Sequence, residues 1–314
     1  ALENDEGQQR IKRKGAAMRI VVGGASGLIG TALVKELRAQ GHHVQKLVRR
    51  EQADGDIPWD PNAGKLNASQ LNGIDALIHL SGEGVASGRW TAARKRSIRD
   101  SRVISTRLLA EAITAIDHPP KTWLCASAIG WYGNRGDAWL DEDSGPGEGF
   151  LASVCKEWEV ATKPAADAGI RVANLRFSVV LSADGGAFKT MMTAFKLGAG
   201  GVIGSGEQYV SWIKLDDAVR AIAYVLENPY ISGPVNIATP NPVTNRELTK
   251  ALGAALHRPT ILPMPAFLAR AAFGEMANEM FLASTRVRPK RLTDTGFHFE
   301  SPLLDDALQA ILRK

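Results

Sequence analysis

The chain has 314 residues, 45% of them hydrophobic, and a net charge of +5, so it can bury a large core in one large domain or two smaller ones. No run reaches the roughly 18 uninterrupted apolar residues of a bilayer span, and no cationic segment leads into an apolar run, so neither a membrane span nor a secretory signal is expected. The basic residues are scattered rather than massed with aromatics, which argues against nucleic acid, and Cys125 and Cys155 are too few for a disulfide framework or a cysteine zinc site.

A reducing interior follows, the cytoplasm or an organelle matrix. Residues 1–17, "ALENDEGQQRIKRKGAA", are polar and without apolar period, and are expected to form a flexible tail; Glu3, Asp5 and Glu6 argue against a transit peptide. Met18–Val22 is a β-branched run, and Thr31–Gln40 has helical apolar spacing that stops at Gly41. "HHVQKLVRR" reads as a second strand, "IPWD" as a short third and "IDALIHL" as a fourth, continuously apolar as a strand covered on both faces must be. A long helix is predicted from Thr91 to Ile116, ending before Pro119 and Pro120. Then come a strand over "KTWLCASAI", a helix over Leu151–Ala166 and a strand over "IRVANLRFSVVL".

This alternation predicts an α/β Rossmann fold, a doubly wound parallel sheet over residues 18–181. Beyond Leu181 the texture turns glycine-rich. Residues 208–228 are expected to return to the main sheet as a strand and helix, and Thr244 or Asn245 to cap another helix. The rest, broken by Pro259, Pro263 and Pro265, completes a smaller, mostly helical substrate lobe over residues 182–314.

The turn after the first strand runs Gly24, Ala25, Ser26, Gly27, Leu28, Ile29, Gly30. A dinucleotide site needs the first glycine for a tight turn, the second so that backbone can approach the pyrophosphate and the third so that the helix can pack on the sheet. At the end of the second strand, where an NAD site places a carboxylate, the chain has Arg49 and Arg50. Two guanidiniums can grip a 2′-phosphate that a carboxylate would repel, so the expected cofactor is NADP. Leu80, Ser81 and Gly82 would run beside it at the carboxyl edge of the sheet. His79, inside the same apolar strand, reads as a satisfied core histidine.

With these blocks in hand, the chain resembles the extended short-chain dehydrogenase/reductases, and more narrowly their epimerase-like family 39U, often labelled nucleoside-diphosphate-sugar epimerases or cell-division-inhibitor-like proteins. The resemblance runs from about Met18 to the C-terminus on "GGASGLIG", "HLSGEGVASGRW", "SAIGWYG", "RFSVVLSADGGAF" and "GSGEQYVSWIKLDD", among others. It implies NADP contacts at Arg49, Arg50, Leu80, Ser81, Arg102 and Leu181.

The wider superfamily moves protons with a Tyr-x-x-x-Lys pair and a nearby Ser or Thr. Aligned on Glu159, the tyrosine slot here holds Leu151 and the lysine slot Cys155; a one-residue shift brings in Lys156 but no tyrosine. The serine slot falls on Ser127 or, without a gap, on Ala128, and Tyr132 is the nearest phenol; Ser127 and Tyr132 are the remaining candidates. Arg176 could meet an anionic substrate or pair with Asp216 or Asp217, and Trp131, Trp158 and Trp212 read as packing residues. No cluster has metal-ligand spacing. The expectation is an NADP(H)-dependent oxidoreductase or epimerase-like enzyme on a small molecule, monomer or homodimer. The rival is a non-catalytic NADP(H)-sensing regulatory protein, and a conventional sugar-nucleotide epimerase is weakened by the missing pair.

Overall fold

A computed structural model of the chain describes residues 16–50, 55–86 and 88–313. The expected tail lies almost wholly outside the described residues. The chain opens with β1 (Arg19–Gly23), α1 (Leu28–Ala39), β2 (His43–Val48), β3 (Ile57–Asp60), β4 (Lys65–Leu66) and β5 (Ala76–His79). It continues with α2 (Ala92–Thr114), β6 (Thr122–Ala128), β7 (Trp139–Leu140), α3 (Phe150–Val160), α4 (Lys163–Asp167), β8 (Arg171–Phe177) and β9 (Val179–Leu181). The C-terminal part contains α5 (Gly186–Lys196), β10 (Tyr209–Val210), β11 (Trp212–Lys214), α6 (Leu215–Glu227), β12 (Gly233–Ile237), β13 (Val243–Thr244) and α7 (Asn245–Leu256). It closes with α8 (Ala266–Phe273), β14 (Arg286–Val287), α9 (Lys290–Asp294) and α10 (Leu304–Leu312).

Eight strands make one sheet in the order β12-β8-β6-β5-β1-β2-β3-β4, parallel except for the final β3–β4 pair. The alternation of side chains along a strand divides its core in two. Ile20 and Val22 of β1 face a layer with Leu33 and Leu37 of α1 and Ile222 and Val225 of α6. Val21, between them, faces Leu109 and Ile113 of α2 and Trp158 of α3. Both faces are covered, as a parallel sheet requires. A third cluster, with Leu181, Phe188, Trp212, Leu248 and Leu308, is the core of the C-terminal lobe.

Three boundaries differ from expectation. The predicted strand Ile170–Leu181 breaks at Ser178, whose backbone N–H and hydroxyl both donate to the Ile237 carbonyl; β9 then leaves the main sheet to pair with β11. Residues 208–228 therefore return only through α6, which packs beside α1. The strand that completes the sheet is β12, next to β8. The helix expected over Leu151–Ala166 is two helices, α3 and α4, with Pro164 in the first turn of the second. Thr244 is the cap of α7 in a reciprocal capping box with Glu247. Among the described residues no helix is long and apolar enough to cross a membrane.

The chain order reverses about β1, whose neighbours are β2 and β5, so the crevice that opens at a topological switch point lies above Gly23 and His79. The turn there is built for close approach. Gly24 has φ +77°, and a Cβ on it would stand 2.6 Å from the Leu80 carbonyl carbon; one on Gly30 would stand 2.2 Å from the Gly24 oxygen. Gly30→Ala is expected to lower the unfolding free energy by about 1–3 kcal/mol, read by urea denaturation.

Candidate functional site

α1 begins with amide donors that no side chain among the described residues caps. Its N-cap, Gly27, has no side chain to offer and its first turn has no acidic residue. The Leu28, Ile29 and Gly30 N–H groups thus lead an uncapped helix dipole toward the crevice, an arrangement suited to a phosphate. Ser26 and Gly27 are exposed beside them, and Leu80 and Ser81 lie opposite, half-buried. Arg49 and Arg50 follow β2 directly and are exposed, with no ion pair to a described residue. The structure therefore brings the glycine turn, the carboxyl end of β5 and the two arginines to one edge of the sheet.

Arg102 stands below this edge. Its Nη2 donates to the Glu83 carbonyl at 2.9 Å, its Nη1 to the Ile98 carbonyl at 2.8 Å, and its guanidinium lies 5.1 Å from the Trp158 ring. Burial pushes its pKa down. A Cβ on Gly82 would be 3.2 Å from that guanidinium, so Arg102 supports the loop from beneath. The Leu181 side chain is buried in the lobe core, leaving only its backbone for a ligand.

The catalytic candidates are placed differently from expectation. Ser127 is 2% exposed and donates to Glu159 Oε1 at 2.7 Å. The Tyr132 hydroxyl, fully buried, donates to Asn236 Oδ1 at 2.7 Å and accepts from Arg176 Nη1 at 3.0 Å. Burial pushes the phenol up to about 12. Arg176 is paired with neither Asp216 nor Asp217. Its Nε and Nη2 grip the two oxygens of Glu159 at 2.8 and 2.9 Å, and its plane stacks 4.0 Å from the Trp131 ring. Asp217 instead pairs with Arg220 and accepts from the Glu300 and Ser301 amides, and Asp216 pairs with Lys214. Ser127, Tyr132, Arg176, Glu159 and Asn236 are thus a closed buried network that holds β6, β8, α3 and β12 together. Both hydroxyls spend their proton inside this network.

Leu151 is half-buried at the start of α3, Cys155 is buried with its thiol pushed up to about 11 by desolvation, and Lys156 points to solvent. Trp158 and Trp212 are buried packing residues. Beside Leu151 opens a cavity of about 430 Å³ whose lining includes Asn134, Glu148, Arg270, Glu279 and Thr285. Glu279, which no local sequence signal marks, closes the N-terminus of α3 from the lobe by accepting from the Phe150 and Leu151 amides at 2.6 and 2.7 Å. A separate cleft of about 1250 Å³ runs along α1 and α6 and meets the glycine turn at Ser26–Leu28.

A parallel sheet reversing at a glycine turn, with an open helix N-terminus above it, defines a dinucleotide-binding α/β protein. The chain belongs to the NAD dependent epimerase/dehydratase family, whose model matches residues 20–238; residues 264–311 match a domain of unknown function, DUF1731. It is 44% identical over 290 residues to the epimerase family protein Mb2239 of Mycobacterium bovis, covering 92% of this chain and 96% of that one. It is 38% identical over 298 residues to the epimerase family protein SDR39U1 of Homo sapiens, covering 94% of this chain and all of that one. The crystal structure of the human protein (isoform2) with NADPH matches with a TM-score of 0.88 at 35% identity, over 95% of this chain and 100% of that one.

Proposed function

We propose that this chain binds NADP(H) and passes hydride between it and a small molecule, an oxidoreductase of the epimerase family that works without the Tyr-x-x-x-Lys pair. The observation that carries the cofactor is Arg49 and Arg50, exposed at the end of β2 where they can flank a 2′-phosphate. The NADPH in the human relative agrees with it. The pyrophosphate would rest on the Leu28 and Ile29 amides, and Gly24 and Gly30 keep the turn low enough to admit it. When bound, NADP(H) supplies the hydride donor or acceptor. The protein binds and orients the partners, and the substrate enters the cavity beside Leu151. With an alkyl side chain in the phenol's place, the proton that balances the hydride comes from solvent in that cavity. A reducing compartment such as the cytoplasm suits the two buried thiols.

Stereospecifically deuterated NADPH, incubated with the protein and a metabolite panel, tests the hydride step. Deuterium in a product supports it; its absence from every product contradicts it. The second reading, a non-catalytic protein whose conformation reports NADP(H) occupancy, is favoured by one observation, the burial of Ser127 and Tyr132 in structural bonds. Tyr132→Phe would leave Asn236 Oδ1 and Arg176 Nη1 short of a partner. It is expected to lower unfolding free energy by about 1–3 kcal/mol and to leave NADPH binding and any turnover unaltered. Lost turnover at unchanged stability would return the phenol to the chemistry.

A further inference from the structure

His79, the last residue of β5, holds a buried polar atom that neither the fold nor the hydride step uses. The ring is fully buried, edge-on to Trp59 at 5.8 Å. Its Nε2 lies 3.0 Å from Ser105 Oγ. The proton of that hydroxyl is committed to its own helix, to the Ser101 carbonyl at 2.7 Å and the Arg102 carbonyl at 3.0 Å. With the hydroxyl donating there, Ser105 accepts from the ring, and in that tautomer the imidazole carries its proton on Nε2 and leaves Nδ1 as a bare acceptor. Desolvation lowers the ring's pKa to about 3, so it stays neutral.

Nδ1 has no hydrogen-bond partner among the described residues, and a buried acceptor in that state costs stability unless something completes it. Its direction shows what can. In the sheet register Leu47, Gly23 and His79 lie in one row across β2, β1 and β5. A Cβ on Gly23 would stand 3.0 Å from His79 Nδ1, 3.4 Å from Ser81 Oγ and 3.4 Å from Leu47 Cδ1. The bare nitrogen and the Ser81 hydroxyl thus both crowd the place that a Gly23 side chain would take, directly beneath the glycine turn. Ser81 is half-buried and has no hydrogen-bond partner among the described residues.

We infer that His79 is a positioning residue for the nucleotide: its Nδ1 takes the proton of the Ser81 hydroxyl, so that Ser81 Oγ turns its lone pairs outward as an acceptor for a ribose hydroxyl of NADP(H). The inference rests on the reading that NADP(H) binds at Leu80–Gly82. The resulting chain runs from Ser81 through His79 and Ser105 to the carbonyls of Ser101 and Arg102, so α2 fixes the polarity of a group at the nucleotide's edge. A serine held as an acceptor welcomes a sugar hydroxyl and disfavours a phosphate oxygen, which sets the nucleotide's register along the crevice.

The test is a double-mutant cycle read by NADPH fluorescence titration on wild type, Ser81→Ala, His79→Leu and the double variant. Each single change is expected to weaken NADPH binding about three- to tenfold. The double variant should be no weaker than the worse single one, because the two groups act as one unit. Full additivity, or unchanged affinity in either single variant, overturns the inference. Wild type that fails to bind NADPH overturns the nucleotide reading instead, which keeps the two failures apart. Nitrogen NMR of wild-type protein labelled at histidine covers the case in which His79→Leu does not fold. The expected spectrum has His79 protonated at Nε2, with an unprotonated Nδ1 whose resonance moves on NADPH addition as it gains a hydrogen bond. A proton on Nδ1, or an Nδ1 resonance indifferent to NADPH, contradicts it.

Discussion

Alanine at both Arg49 and Arg50 should weaken NADPH binding at least about 100-fold and leave NADH binding within about a factor of two. Each guanidinium can offer charge-assisted hydrogen bonds to the 2′-phosphate, worth about 1.5–3 kcal/mol apiece, and 1.4 kcal/mol is a factor of ten. The two side chains are exposed and pair with no carboxylate among the described residues, so among these their removal leaves no buried group unpaired. The loss should fall as ionic strength rises, because exposed charges are screened. Equal losses for both cofactors would mean that the arginines hold some other part of the nucleotide.

Arg176→Ala should lower the unfolding free energy by about 3–5 kcal/mol, the usual cost of stranding one partner of a buried ion pair. The side chains of Arg176 and Glu159 are only 3% and 10% exposed and bonded through two parallel contacts. The variant would leave a carboxylate inside the protein whose remaining partner is Ser127, and would withdraw a donor from Tyr132 and a stacking plane from Trp131. Arg176→Leu combined with Glu159→Leu should recover most of the loss, since the uncompensated charge is then gone. A urea midpoint for Arg176→Ala indistinguishable from wild type would refute the view that the Arg176–Glu159 pair is a structural brace.

How much of this was legible in the sequence follows the range of the interactions. The glycine turn, the helix that follows it, the continuously apolar β5 and a helix cap at Thr244 or Asn245 are local patterns, and the expectations built on them match the fold, with Thr244 as the cap. The edge strand β12 was missed because it begins Gly233-Pro234, which reads as a turn; an edge strand tolerates a proline that a central strand would not. The segment at Tyr209–Lys214 was expected to be a strand of the main sheet, yet its β10 part pairs with β13 and its β11 part with β9.

The site was half legible for the same reason. Arg49 and Arg50 stand where a local rule says to look. Arg176 needed a partner, but nothing near it in sequence names Glu159, which comes from a helix packed against the sheet. One signal was available: Glu159 follows Ala152 and Cys155 on the buried face of α3 at helical spacing, and a carboxylate on such a face requires a cation. Glu279 gave no sign at all, because its partners, the amides of Phe150 and Leu151, lie about 130 residues earlier in the chain and act through backbone alone.

The nucleotide reading is tested most directly by titrating purified wild-type protein with NADPH and NADH and following the fluorescence of each. Saturable binding of both, with NADPH at least about tenfold tighter, is the predicted result. No saturable binding of NADPH, or an affinity for NADH equal to or greater than that for NADPH, would contradict it.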